Sequence, residues 1–143
     1  MRSTGAAGKT LIRCGRIIDG NGRVIPGADM LLVHGGAIEA IGDESAVAMD
    51  GSVTELNFPG CTLMPGLVNA HDHVLFRRAT PPMATLFGRS ETYQSIFGAR
   101  NGALALAEGV TATRDMAAAH NLSGKLRDAV RRGMIPSPRT VSC

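Results

Sequence analysis

Hydrophobic and polar positions alternate in short runs over residues 10–60, and turn-forming residues separate the runs. This pattern is typical of short strands in small antiparallel sheets. The pair Gly35–Gly36 predicts a tight hairpin, because both glycines tolerate the positive φ that such a turn requires. Gly20, Asn21 and Gly22 predict another turn. The strands are expected at residues 11–13, 28–33, 37–41 and 53–58. So few strands are marginal in water unless another surface covers them.

The pattern changes at residue 61. Residues 61–70 form a nearly continuous apolar run, broken only by Pro65–Gly66, and such a run indicates a strand buried on both faces of a parallel sheet. A helix with Ile96, Phe97, Leu104 and Ala107 on one side is expected at residues 93–108. The remaining elements are a loop at 77–91, a strand at 110–114, a helix at 122–132 and a strand at 136–142. The order strand, helix, strand, helix, strand predicts parallel βαβ units.

Composition excludes several classes of protein. The chain has 143 residues, of which 44% are hydrophobic and 19% charged, so it can bury a core. Its net charge is only +3, and its one dense group of basic residues has the spacing of a solvated helix face, which argues against a nucleic-acid binder. That group consists of Lys125, Arg127, Arg131 and Arg132.

No apolar run is long enough to cross a bilayer, so no membrane partner is expected. Residues 1–9 lack the apolar core of a signal peptide and are predicted to be a flexible tail. Cys14, Cys61 and Cys143 form no zinc pattern and no disulfide framework. Reduced and mostly buried thiols in a cytoplasmic protein are therefore expected.

The segment His71-Asp72-His73 at the end of the apolar run carries the strongest chemical signal. Side chains at positions i and i+2 of a strand point to the same face, so both imidazoles project together and Asp72 projects to the opposite side. Two neutral imidazoles placed in this way can converge on one divalent cation. Taken alone, a His-x-His pair is a weak signal, and two histidines that simply decorate a turn are the more common case.

The surrounding residues add a family resemblance. The segment Met64-Pro65-Gly66-Leu67-Val68-Asn69-Ala70-His71-Asp72-His73 resembles the first-strand signature of the amidohydrolase superfamily. Residues 15–20 and 38–42 resemble the opening strands of its small β-sandwich, and residues 109–116 and 126–139 resemble its second barrel strand and the approach to the third. The resemblance runs from about residue 10 to the last residue and leans toward the imidazolonepropionase-like and dipeptidase-like branch.

This resemblance implies a fold and a function. The fold is an α/β fold in which a β-sandwich portion (residues 10–60) precedes the first three strands of an incomplete (β/α)₈ TIM-like barrel (residues 61–143). The function is metal-dependent hydrolysis of an amide-type C–N bond, as in a dipeptide or an N-acyl amino acid, by a metal-activated water. His71 and His73 correspond to the first metal ligands, and one or two divalent ions are expected, zinc first among them.

Further ligands of the family come from later strands, so no catalytic residue is assigned within this chain and the chain alone is expected to be inactive. A complete barrel needs about 250 residues. The chain is then one polypeptide of a divided enzyme, a truncated product, or a non-catalytic fragment or interaction protein. A second polypeptide that completes the barrel and a homo-oligomer are both left open as partners.

Two groups of loop residues are candidates for contact with a small-molecule substrate. His120 follows the second predicted barrel strand, on the face where the pocket of such a barrel opens. Arg77 and Arg78 follow the histidine pair and could attract a carboxylate. For each of these residues, a simple solvent-exposed position is the competing interpretation. Ala117 and Ala118 stand where relatives often have glycines, so analogy with those relatives does not define the substrate.

Overall fold

The computed structural model describes residues 8–47, 51–76, 88–116 and 119–142. It divides into two compact units, residues 1–65 and 66–143, which we call the sheet unit and the βαβ unit. The predicted loop at 77–91 lies largely outside the described residues, as do residues 1–7 of the predicted tail. Lys9, which was assigned to that tail, is instead the first residue of a strand.

The sheet unit contains a mixed four-stranded sheet. Its strands are β1 (Lys9–Ile17), β2 (Met30–His34), β3 (Ala37–Gly42) and β4 (Val53–Leu63), in the spatial order β3-β2-β1-β4. The predicted hairpin joins β2 and β3, and Gly35 and Gly36 have φ values of 59° and 80°. A purely antiparallel sheet was wrong, because β4 pairs with β1 in parallel.

The sheet is covered on both faces by small apolar clusters. Alternation along β2 places Met30 and Leu32 with Leu11 in one cluster, and Leu31 with Cys14 and Ile17 in another. Cys14 is buried as expected, whereas Cys61 is exposed on β4, contrary to the expectation of mostly buried thiols.

The boundary between the units lies later than the sequence suggested. Residues 61–63 belong to β4, where Leu63 pairs with Ile17 of β1, and a separate strand starts only at Leu67. A single strand over residues 61–70 was therefore wrong, because Pro65 and Gly66 end one sheet before the other begins. The units divide after Pro65 rather than after residue 60.

The βαβ unit has the predicted order of elements. It contains β5 (Leu67–Asp72), α1 (Glu91–Ala107), β6 (Val110–Asp115), α2 (Leu122–Arg131) and β7 (Arg139–Ser142). The three strands pair in parallel in the order β5-β6-β7. Among the described helices, none is long and apolar enough to cross a membrane.

The helix ends follow local sequence rules. The Ser90 side chain accepts a hydrogen bond from the Tyr93 N–H at the start of α1, which satisfies one of its free donors. Gly109 and Gly133, with φ values of 88° and 68°, follow the ends of α1 and α2, as predicted.

The buried face of α1 is only partly the predicted one, because Phe97 packs against the core of the unit but Ile96 does not. Ile96 is 67% exposed, whereas the buried residues are small or polar and follow an i, i+4 spacing. They are Gln94, Gly98, Asn101, Gly102 and Ala105. The two glycines leave room for close approach, since a Cβ atom on Gly98 would lie 2.7 Å from methyl carbons of both Leu75 and Leu126.

The core of the βαβ unit lies directly after the histidine segment. Val74, Leu75 and Phe76 are buried with Leu122 and Leu126 of α2, and Leu75 is fully inaccessible to solvent. By contrast, Leu67 and Val68 at the start of β5 are 50% and 71% exposed, so the expected burial of this strand on both faces was wrong for this chain.

Candidate metal-binding site

The histidine segment lies at the carboxyl end of β5, where the three parallel strands end side by side. Asp72 is paired in register with Asp115 of β6, and Asp115 with Ser142 of β7. His71 is the penultimate residue of β5, and His73 follows its last residue. The carboxyl edge of a parallel sheet is where α/β folds gather their functional side chains.

A β-bulge in β5 immediately precedes the pair. Asn69 is the partner of Thr113 and Asp72 is the partner of Asp115, so β5 has one residue more than β6 across this interval. Bulges of this type bend a strand and change the direction of its side chains, and they are frequent beside functional sites. The Asn69 side-chain oxygen accepts a hydrogen bond of 3.2 Å from the His71 N–H within the bulge.

The two imidazoles lie against each other. Their ring centroids are 5.2 Å apart, with an edge-to-face angle of 75° between the ring planes. His71 is exposed, whereas His73 is half-buried and its ring lies 6.3 Å from that of Phe76. The sequence prediction that both rings project to one side agrees with this contact.

Asp72 projects away from the pair and is buried. One of its carboxylate oxygens accepts a hydrogen bond of 2.9 Å from the His73 N–H, and the other accepts one of 2.6 Å from the Thr113 hydroxyl. The backbone oxygen of Asp72 accepts a further bond from the Met116 N–H. These hydrogen bonds connect the last residue of β5 to the second half of β6 and the residue that follows it.

The backbone on the other side of His73 is held by α1. The side-chain amide of Asn101, a residue with no exposed surface, donates a hydrogen bond of 2.9 Å to the Val74 oxygen. The Phe76 N–H donates to the His73 oxygen and closes a tight turn. Neither Asn101 nor Thr113 was predicted from the sequence as part of the site. The available signal in the sequence was a polar residue inside each of the two segments that were predicted as a helix and a strand.

The donor set fits part of a metal site. Nδ1 of His73 is buried and has no hydrogen-bond partner among the described residues. An imidazole nitrogen in this state is a common metal ligand. Within the same residues, no group of three histidine, cysteine, aspartate or glutamate side chains could hold a metal. A catalytic zinc usually has three protein ligands, so the pair provides an incomplete set.

His120, the candidate for substrate contact, lies in a 3₁₀ turn (Ala119–Asn121) between β6 and α2. Its φ of 56° is unusual for a residue with a side chain. Its Nδ1 lies 3.4 Å from the Glu91 carboxylate, which also pairs with Lys125, and its side chain is 64% exposed. Its role toward a substrate stays a prediction. Arg77, Arg78, Ala117 and Ala118 lie outside the described residues.

An apolar cavity of about 260 Å³ lies in the sheet unit. All of its lining residues belong to that unit, so the cavity does not include His71 or His73. It is therefore separate from the candidate site.

Comparison with known proteins gives relatives in sequence and in fold. No protein-family model matches the chain. The chain is 30% identical over 95 residues to an imidazolonepropionase of Halobacterium salinarum, a match that covers 64% of this chain and 23% of that protein. The chain thus spans about a quarter of the length of this curated relative.

Solved structures resemble almost the whole chain. An A. niger ochratoxinase matches with a TM-score of 0.78 and 25% identity, over 96% of this chain and 31% of that one. A Xaa-Pro dipeptidase matches with a TM-score of 0.76 and 24% identity, over 94% of this chain and 33% of that one. The described fold therefore corresponds to about a third of each of these proteins.

Proposed function

We propose that this chain, which is similar in sequence and fold to the amidohydrolase superfamily, supplies the first metal-binding strand of a hydrolase that cleaves C–N bonds. The resemblance to that superfamily, predicted from the segment that ends in His73, is confirmed by the matches to an imidazolonepropionase, an ochratoxinase and a Xaa-Pro dipeptidase. The observation that carries the proposal is the contact between His71 and His73, at the carboxyl end of a parallel strand, with an unpartnered buried nitrogen on His73.

In this proposal His71 and His73 are two ligands of a divalent cation, zinc first among the candidates, in a site of one or two ions. Imidazole nitrogen suits zinc as well as several other divalent metals. A cation bound there would lower the pKa of a coordinated water and polarise a carbonyl group. The chain's own contribution is to hold the two imidazoles together at the carboxyl edge of the parallel sheet.

The proposed architecture is the beginning of a (β/α)₈ barrel preceded by part of a β-sandwich. The parallel order β5-β6-β7 and the intervening helices support the first part, and the mixed sheet of residues 9–63 supports the second. The remaining ligands would come from strands beyond these, on the same or a second polypeptide. Dipeptides are proposed as substrates because a Xaa-Pro dipeptidase is among the similar structures, and N-acyl amino acids are proposed from the family resemblance.

Zinc titration of the 143-residue chain by calorimetry tests the ligand assignment. We expect binding by the wild-type chain, loss of binding in His71→Ala and in His73→Ala, and unchanged binding in His34→Ala. His34 is the matched control, since its side chain is 51% exposed at the end of β2 in the other unit. Absence of zinc binding by the wild-type chain, or an equal loss in His34→Ala, would contradict the assignment.

Hydrolysis assays test whether the site needs further ligands. With zinc present, we expect no turnover of a dipeptide or an N-acyl amino acid by this chain alone, because two imidazoles leave the ligand set incomplete. Turnover that is abolished by His73→Ala would show that the described residues suffice. If the chain binds no zinc, a non-catalytic fragment or interaction protein is favoured instead.

A further inference from the structure

A buried carboxylate beside the histidine pair has no role in the proposed function so far. Asp72 is only 6% exposed, although an aspartate is among the residue types that are rarely buried without a partner. Burial of a charged group is costly unless hydrogen bonds compensate for its lost hydration. The position therefore requires a specific set of partners.

Two partners of the Asp72 carboxylate come from different parts of the unit. The Thr113 hydroxyl, on a residue that is 4% exposed, donates to one oxygen, and the His73 N–H donates to the other. The carboxylate thus connects the middle of β6 to the backbone of the second histidine. Both bonds have normal to short lengths, which is typical of hydrogen bonds to a carboxylate.

The connection acts where regular strand pairing is interrupted. The bulge between Asn69 and Asp72 removes part of the ladder that would otherwise hold β5 against β6. The bond from Thr113 replaces that restraint just before His73, and the bond from Asn101 to the Val74 oxygen supplies another just after it. Hydrogen bonds to the two residues on either side of His73, Asp72 and Val74, thereby fix its backbone.

We propose that Asp72, held by the Thr113 hydroxyl, is a positioning residue for the His71–His73 pair. This inference rests on the proposed function, since it gives the carboxylate the task of orienting metal ligands. Groups that orient ligands in this way commonly change metal affinity by ten- to a hundredfold when they are removed.

The test compares two buried threonines that are neighbours across the sheet. Thr113→Val removes the hydroxyl that reaches Asp72, whereas Thr140→Val removes one that donates to the Pro138 oxygen at 3.0 Å. Thr140 is paired with Thr113 and is similarly buried, at 7% exposure, so it is a matched control. Thr113→Ser restores the hydroxyl and serves as the rescue variant.

Two measurements are made on the full chain. The first is the nuclear Overhauser effect between the ring protons of His71 and His73 without metal, which requires the 5.2 Å ring contact. The second is zinc affinity by calorimetry. Thr113→Val is expected to weaken the ring-to-ring signal and to lower zinc affinity about tenfold. Thr113→Ser and Thr140→Val are expected to keep both near the wild-type values.

The proposal is overturned if Thr113→Val retains the ring-to-ring signal, or if Thr140→Val loses it to the same extent. If the wild-type chain binds no zinc, the proposed function fails, but the ring-to-ring signal still decides the positioning role. If circular dichroism shows that Thr113→Val is unfolded, Asp72→Ala replaces it, because this change removes both acceptor oxygens. A wild-type ring-to-ring signal in that variant would also overturn the proposal.

Discussion

Replacement of Leu75 by alanine tests whether the core of the βαβ unit lies directly beneath the histidine pair. Leu75 is fully inaccessible to solvent, two residues after His73, and packs with Leu122 and Leu126 of α2. Truncation of a buried leucine to alanine costs about 2–5 kcal/mol of the free energy of unfolding, depending on how far the cavity collapses. Collapse is restricted here, because α1 meets Leu75 through Gly98, which has no side chain to fill the space.

The expected loss for Leu75→Ala is therefore in the upper part of that range, about 3–5 kcal/mol. A unit of this size has a total stability of roughly 4–12 kcal/mol at 0.05–0.15 kcal/mol per residue. The variant should consequently lose a large part of the stability of this unit. The loss would also free the turn that follows β5.

Urea unfolding followed by tyrosine fluorescence measures this loss of stability in the βαβ unit. The chain has one tyrosine and no tryptophan, and Tyr93 lies on α1, so the signal reports on the βαβ unit. Leu67→Ala is the matched control, since Leu67 is the same residue type in the same unit, at the start of β5, and is 50% exposed. Its expected loss is less than about 1 kcal/mol. Equal midpoint shifts in the two variants would refute the assignment of Leu75 to a rigid core.

Three other predictions concern single positions. Gly98→Ala is expected to destabilise α1 by a net of about 1 kcal/mol in urea unfolding, because contact with two leucines outweighs the better helix propensity of alanine; greater stability would contradict the close approach. Gly109→Ala should cost about 1 kcal/mol or more, since its φ is 88°, whereas the exposed Gly60→Ala in β4 should change stability less. Ser45→Ala should raise the pKa of Asp43, which the Ser45 hydroxyl and backbone N–H groups hold below its usual value. The stability from this lowered pKa is present above the unfolded-state pKa and is lost as the pH falls through the folded-state pKa. A carboxyl titration by NMR in which Asp43 is unaltered by Ser45→Ala would contradict that origin.

The ends of elements could be predicted from the sequence because local chemistry determines them. Gly35, Gly36, Gly109 and Gly133 adopt the positive φ angles for which glycine is favoured, and each lies where a turn or a helix end was expected. The order of strands and helices after residue 66 followed from the spacing of apolar runs. The ring contact of His71 and His73 followed from the two-residue period of a strand.

Tertiary structure decided which surfaces are buried and which strands pair. The chain cannot indicate locally that β4 would add to β1 in parallel and extend to Leu63, because that pairing depends on residues more than 40 positions apart. The same holds for the face of α1, where Gly98 and Asn101 are buried and Ile96 is exposed. Close packing selects small residues at a contact even when larger apolar side chains are available nearby.

The candidate site shows the same division. The two-residue spacing of His71 and His73 was sufficient to predict that their rings lie together, whereas their assignment as metal ligands stays a prediction. The supporting bonds from Thr113 to Asp72 and from Asn101 to Val74 were not predictable, because each joins residues 27 or 41 positions apart. Local sequence therefore determined which two side chains meet, while long-range packing decided how they are held, since hydrogen bonds between distant elements exist only once the sheet and helix have assembled.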